Sequence, residues 1–300
     1  MGANPSAKAM LASLGSAIIF GFSFLSSRIA LGVATPSALL SMRFLLALLL
    51  MSAVLLTGRA KVSLRGKPAG LLLLLGFFQP IMYFLCETYG ILYSTATFSG
   101  VMIALIPIAS LAFAAIFLRE RPTVWQTLFS LLSVAGVVLL ALLQTGEGTV
   151  EVRGILLLVG AIVAAVGCSI VSRRIAPSFS AFERTYVMFV TGAVFFTLFA
   201  LFENGWDVPA LAAPLAEPKF LLPILYLGGF SSVGAFLLMN YGLSHLPVSR
   251  STSFANLTTV ISMLAGVVFL GEPMTLTSGA ASLMIVLGVW GVQKMSLRSA

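Results

Sequence analysis

A large part of this sequence is stated twice. Tyr89-Gly90 opens an apolar run that closes on Phe117-Leu118-Arg119-Glu120-Arg121-Pro122 and leads through a second apolar run to Gly136. Tyr241-Gly242, Phe269-Leu270-Gly271-Glu272-Pro273 and Gly288 restate that order 152 residues later. Gly76-Phe77-Phe78-Gln79 keeps the same spacing to Gly228-Gly229-Phe230-Ser231, and Ser27-Arg28-Ile29-Ala30 is answered at a shorter one by Arg173-Arg174-Ile175-Ala176. Duplication of a half-length unit explains this better than chance, and it restricts the chain to folds built from two copies of one unit. The halves are read as residues 1–146 and 147–300.

The repeated unit suits lipid rather than water. The 300 residues are 59% hydrophobic and 9% charged, where a soluble domain carries about 25% charge. That is too little charge to cover a water-facing surface. Ten apolar runs, at roughly 9–31, 37–57, 69–91, 97–118, 123–143, 154–172, 181–202, 220–243, 250–270 and 274–294, each approach the ~20 residues that cross a bilayer core. Five spans per half is an odd number, so the second half must enter the membrane upside down. The expected fold is an all-α membrane protein, with ten transmembrane helices as two inverted five-helix repeats around a central cavity.

Charge sets the orientation. Loops on the N-terminal side carry Lys8, Arg59, Lys61, Arg65, Lys67, Arg119, Arg121, Arg173, Arg174, Arg250, Lys294 and Arg298. The other side has Arg28, Arg153 and Lys219 near span ends, and Glu147, Glu151, Glu203, Asp207, Glu217 and Glu272 in its loops. Both termini are therefore expected in the cytoplasm. The net charge of +8 is spread between apolar runs rather than gathered into a stripe with interleaved aromatics, so no nucleic-acid partner is expected. The polar start with Lys8 leads into a run too long for a signal-peptide core, read as a retained first helix. Cys86 and Cys168 fall inside spans as apolar fillers.

Polar side chains inside spans usually face a cavity or another helix. Gln79, Tyr83 and Glu87 recur at i, i+4, i+8, within about 80° on one helical face. Pro80 beside them frees a backbone carbonyl. Glu87 binds a cationic substrate group, carries a coupling proton, or merely accepts hydrogen bonds from neighbouring helices. Ser232, Phe236 and Asn240 share the same spacing in the eighth run, and the ninth offers Ser253 and Asn256. The first has Ser16, Ser23 and Ser27 along one stripe beside Phe24. Such hydroxyls commonly glue helices together, but their coincidence in repeat-related runs favours a shared cavity. Phe78 and Met82 join the candidate binding set, and Phe230 is the repeat-related partner of Phe78. Gly76, Pro80, Pro107, Gly228 and Gly229 are candidate bending points. Arg43 and Arg184 stand near the starts of the second and seventh runs, where snorkelling to the interface is the favoured reading over binding a carboxylate. His245 reads as an interfacial residue.

No phosphate-cradling GxxxxGK[ST] loop, HExxH motif or Cys/His cluster of metal-ligand spacing is present. No catalytic residues, metal ligands or cofactors are therefore expected, and a membrane enzyme would lack an acid–base site. The expected partners are the lipid bilayer, a small-molecule substrate and, if Glu87 couples, protons.

Gly21-Phe22-Ser23-Phe24, Arg43-Phe44-Leu45-Leu46, and Glu120 and Glu272 closing the fourth and ninth runs resemble the EamA-type drug/metabolite transporters. The resemblance covers essentially the whole chain, with Arg121 interrupting the Glu-Pro step in the first half. Within that superfamily the chain looks most like bacterial amino-acid exporters of the aromatic-exporter (YddG) type. The resemblance implies a cavity lined by spans 1, 3, 4, 6, 8 and 9 with spans 5 and 10 packed outside it. It also implies a multi-pass location in the bacterial inner membrane and export of aromatic or neutral amino acids, or similar small metabolites, by alternating access. Import, exchange of a different metabolite such as a sugar conjugate, and a membrane-embedded enzyme or scaffold stand as the alternatives.

Overall fold

The computed structural model of the chain describes residues 5–94, 99, 102–120, 122–143, 151–270 and 275–296. These residues form helices and connecting turns with no strand among them. In chain order the helices are α1 (Pro5–Leu31), α2 (Pro36–Leu56), α3 (Ala69–Gly76), α4 (Tyr83–Leu92), α5 (Ile106–Phe117), α6 (Val124–Leu143) and α7 (Val152–Ile175). They continue as α8 (Ala181–Glu203), α9 (Val208–Ala212), α10 (Pro218–Leu225), α11 (Phe236–His245), α12 (Val248–Ser253), α13 (Leu257–Leu270) and α14 (Leu276–Ser296). α3 runs into α4, α10 into α11, and α12 into α13, each pair forming one path across the bundle. Nine such paths among the described residues are long and apolar enough to cross a membrane.

The expected fourth span is the exception. Part of 97–118 lies outside the described residues, and α5 has 12 residues, about 18 Å at 1.5 Å per residue. That is shorter than a ~30 Å hydrocarbon core. Glu147, Glu272, Arg121 and Arg298 also lie outside the described residues.

Local chemistry sets the helix starts. Thr35 caps α2, accepting from the Ala38 N–H at 3.3 Å ahead of Pro36 at the first helical position. Ser180 and Glu183 form a reciprocal capping box at the start of α8. The largest buried cluster is built from Phe44 and Met51 of α2, Leu72 and Leu75 of α3, Cys168 of α7, Met188, Phe189 and Phe196 of α8, and Phe236 of α11. The most extensive helix pairing joins α6 to α14. A Cβ on Gly136 would lie 2.7 Å from the Ala281 carbonyl and one on Gly288 2.6 Å from the Phe129 carbonyl, so only glycine lets these helices approach so closely. The periphery is strongly apolar, with Leu49, Ile116, Phe202, Val268 and Leu276 all exposed, as lipid-facing positions should be.

Cross-contacts fix which ends share a face. Arg250 donates through Nε to Gln293 Oε1 at 3.0 Å and reaches Met10 Sδ at 3.3 Å, so the beginning of α1, the beginning of α12 and the end of α14 meet at one end of the bundle. At that same N-terminal face Glu120 Oε1 accepts from the Val248 N–H at 3.0 Å. The basic segment between α2 and α3 is tied to α8, with Glu183 Oε1 accepting from the Ser63 N–H at 3.0 Å and from Lys67 Nζ at 2.8 Å.

Candidate functional site

Three of the crossing paths leave α geometry: α12 passes into α13 through a single 3-10 turn at Phe254–Asn256, and two others are broken or widened midway. Between α3 and α4, Phe77–Met82 forms a break in which Gln79 is extended (φ −146°, ψ 121°) and Pro80 has no N–H to give the helix. α8 closes over this break, because Gly192 places its backbone where a Cβ would lie 2.5 Å from Pro80 Cγ, and Gly76 abuts Thr191. Between α10 and α11, Tyr226–Ala235 winds as a wide π-type turn, and α2 leans on it where Leu46 fills the space that a Cβ on Gly228 would take. Widened or broken turns of this kind mark functional positions in helices, and at membrane depth they survive only when buried in protein or facing a cavity.

Arg43 reaches from α2 to the second of these turns. Its side chain is buried, at 6% exposure, which corrects the snorkelling expectation. Nε donates to Ser232 Oγ at 2.8 Å and Nη2 to Ser231 Oγ at 3.0 Å. The guanidinium lies 5.2 Å from the centroid of Phe84, which packs edge-on to Tyr83 at 5.3 Å. Tyr83 in turn donates to Glu87 Oε1 at 2.8 Å. Glu87 is thus linked to Arg43 through Phe84 and Tyr83. The pair is nonetheless absent from the close ion pairs among the described residues, which are Lys67–Glu183 and Arg153–Glu151. A buried guanidinium held by two neutral hydroxyls, with a carboxylate nearby but not on it, keeps donor capacity in reserve.

Gln79 does not continue the Tyr83–Glu87 stripe, because the extended backbone at Gln79 breaks the i, i+4 register the sequence predicts. A similar correction applies to the set of Ser232, Phe236 and Asn240. All three are fully buried, and Phe236 and Asn240, both within α11, keep their shared face against α8, whereas Ser232, inside the wide turn, faces α2 instead. Ser232 meets Arg43 of α2. Phe236 packs edge-on to Phe20 at 5.4 Å and Phe189 at 5.7 Å. Asn240 donates through Nδ2 to Thr185 Oγ1 at 2.9 Å and accepts from Ser172 Oγ at 2.6 Å.

Asn240 belongs to a second arginine centre. Arg184 is completely buried, again not snorkelling. Its Nη1 donates to the Ser172 carbonyl at 2.8 Å and to Ser172 Oγ at 2.5 Å. Nη2 donates to the Asn240 carbonyl at 2.8 Å and to Ser244 Oγ, and Nε points to the Ser180 carbonyl at 3.4 Å. This network fastens α7, α8 and α11 together near the N-terminal face.

The remaining candidates are dispersed. Ser23 is buried and donates to the Phe20 carbonyl at 2.6 Å within α1. Ser27 is half-buried on α1 and Met82 half-buried in the first break. Phe24 lies on α1 with its side chain outside the described residues. Phe78 packs against Gly167 of α7. Phe230, its repeat-related partner, is 67% exposed and stacks on Tyr226, so the two do not face a common space. Ser253 donates to the Arg250 carbonyl at 2.9 Å and accepts from Gln293 at 2.9 Å, and Asn256 donates to Ser133 at 3.1 Å. Those two therefore face α14 and α6. Of the candidate bending points, Gly76 and Gly228 are sites of close helix approach, Pro107 is buried at the start of α5, and a Cβ on Gly229 would find only ordinary contact with Leu50 at 3.6 Å.

Glu183 and the Arg250–Gln293 pair are not among the residues the sequence singles out as candidates. For Glu183 the signal was available: Ser180-x-x-Glu183 ahead of an apolar run is a capping-box pattern. For Arg250–Gln293 there was none, because the partners are 43 residues apart.

At the N-terminal face, a cavity of about 680 Å³ opens among the ends of α5, α7 and α11 and the start of α8, lined by Glu120, Arg173, Phe179, Tyr241, Ser244 and His245 among others. A second, of about 590 Å³, lies at the opposite end beside the α1–α2 turn and the segment preceding α10.

Comparison with known proteins fits this architecture. An uncharacterized transporter YcxC of Bacillus subtilis is 33% identical over 286 residues, covering 94% of this chain and 92% of its own. An uncharacterized transporter of Archaeoglobus fulgidus is 26% identical over 271 residues, with 90% and 93% covered. A probable terminal-alkyne amino-acid exporter of Streptantibioticus cattleyicolor is 25% identical over 215 residues, with 70% and 67% covered. A solved crystal structure superposes with a TM-score of 0.79 at 20% identity over 97% of this chain and 98% of that one, a likeness of fold. The model of the EamA-like transporter family matches residues 7–142 and 152–293. This chain is a member of the EamA-like transporter family.

Proposed function

We propose that this transporter exports aromatic or neutral amino acids, or similar small zwitterionic metabolites, across a bacterial inner membrane by alternating access. In this reading residues 1–146 and 147–300 are inverted five-helix repeats with α5 belonging to the fourth of ten spans, and both termini are cytoplasmic. The 152-residue echo in the sequence and the basic segment Arg59–Lys67 on the N-terminal face support it. Similarity to a probable terminal-alkyne amino-acid exporter supports the substrate class.

The observation that carries the reading is Arg43. Its guanidinium is buried against the wide turn of α10–α11, hydrogen-bonded among the described residues to Ser231 and Ser232, with Glu87 on α4 after the break of α3–α4. An amino acid presents both charges these residues complement. Its carboxylate would be taken by Arg43, displacing the serine hydroxyls, and its ammonium by Glu87, with Gln79, Met82 and Phe84 around the side chain. Rocking of one half on the other at the broken turns would expose this site to each side alternately. The test is flux from proteoliposomes loaded with labelled aromatic and neutral amino acids, against protein-free vesicles, with and without a pH gradient. Saturable flux suppressed by competing amino acids is expected. Folded protein without flux above control overturns the substrate assignment.

A further inference from the structure

The cavity at the N-terminal face is lined by residues that the transport site leaves unused. We propose that this cavity is a second, peripheral docking site for a small zwitterion, with its ammonium group on Glu120 and its carboxylate on Arg173. The inference rests on the amino-acid reading for the identity of its ligand.

Glu120 Oε1 is occupied by the Val248 N–H. Oε2 is buried and has no hydrogen-bond partner among the described residues, although the residue lines the cavity. A buried carboxylate oxygen without a donor is unfavourable, and a ligand ammonium supplies the missing donor together with the opposite charge. Arg173 lines the same cavity and spends Nη1 on the carbonyls of Leu243 at 3.3 Å and Ser244 at 2.6 Å. Nε and Nη2 have no acceptor among the described residues, and these two nitrogens form the fork that receives a carboxylate bidentately. The Tyr241 ring, packed on His245 at 4.3 Å, also lines the cavity and offers a flat wall. The volume of about 680 Å³ falls in the range of small-molecule sites. Ser244 lines the cavity and is also held by Arg184, so an occupant would sit against the clamp that fastens α7, α8 and α11.

The test uses the whole protein in nanodiscs, photolabelled with radioactive 4-azidophenylalanine and mapped by mass spectrometry. Labelling of segments 176–181 and 241–245 is expected, suppressed by excess phenylalanine. Phenethylamine and 3-phenylpropanoate, each lacking one charge, should compete at least about tenfold more weakly. Glu120→Gln keeps an acceptor for the Val248 N–H and should cut labelling there about tenfold, whereas Arg43→Gln should leave it in place. Absence of labelling in these segments, or equal competition by the single-charge analogues, overturns the proposal on wild-type protein alone, whatever becomes of the variants. Labelling here without amino-acid flux keeps the docking site and discards the transport reading. Flux without labelling does the reverse.

Discussion

Arg184 and Arg43 are both buried arginines on helices of the same bundle, yet they are held in opposite ways. Arg184 directs its three nitrogens onto Ser172, Ser180, Asn240 and Ser244, and every partner belongs to α7, α8, α11 or the turn before α8. Arg43 has two serine hydroxyls and the faces of Phe44 and Phe84. Desolvating a guanidinium is costly in both places. At Arg184 the cost is offset by backbone and side-chain acceptors at fixed positions, which makes a joint. At Arg43 the compensation is partial and comes from hydroxyls that can turn away, which suits a group that must exchange partners.

That contrast can be broken in order of expected effect. Arg184→Ala removes the charge that Ser172, Asn240 and Ser244 are arranged around and opens a void. It should destabilise the protein by at least about 3 kcal/mol, seen as a melting temperature in detergent lower by roughly 10 °C and a matching loss of folded yield. Arg43→Gln keeps donors for Ser231 and Ser232 and should melt within a few degrees of wild type. Its flux should nevertheless fall at least about tenfold, or ~1.4 kcal/mol. Glu87→Gln can still accept from Tyr83, so its signature is a changed response to pH rather than to temperature. If Glu87 carries the coupled proton, flux in this variant loses its dependence on an imposed pH gradient, and a retained gradient dependence removes Glu87 from that role. Glycine substitutions separate the two breaks. Gly76→Ala drives a methyl into Thr191 and should cost about 1–3 kcal/mol. Gly229→Ala meets only Leu50 at 3.6 Å and should change the melting temperature by less than about 2 °C.

What could be read from the sequence follows the range of the forces involved. Nine of the ten runs correspond to crossing paths because burying 20 apolar residues in lipid is a local decision, visible in each run by itself. The candidate site was legible as a set of residues but not as a geometry. Ser232, Phe236 and Asn240 have helical spacing on paper; Phe236 and Asn240 keep it within α11, and the wide turn at Tyr226–Ala235, with no proline inside it, turns Ser232 toward α2 instead. Gln79 failed for a nearer reason: Pro80 was recognised as a kink, but a kink that leaves Gln79 extended also ends the i, i+4 register. Arg43 and Arg184 were misjudged because their acceptors, Ser232 and Asn240, lie 189 and 56 residues away. An arginine near the start of a span, the eighth residue of α2 or the fourth of α8, therefore reads as a snorkel.

The most direct measurement is the flux of labelled neutral and aromatic amino acids through proteoliposomes of wild type, Arg43→Gln and Arg184→Lys, with melting temperatures taken on the same preparations. The account predicts saturable wild-type flux, a collapse in Arg43→Gln at nearly unchanged stability, and in Arg184→Lys a loss of flux no greater than its loss of folded protein. Wild-type flux in Arg43→Gln, or a stable Arg184→Lys that transports nothing, would contradict the division of labour between the two arginines.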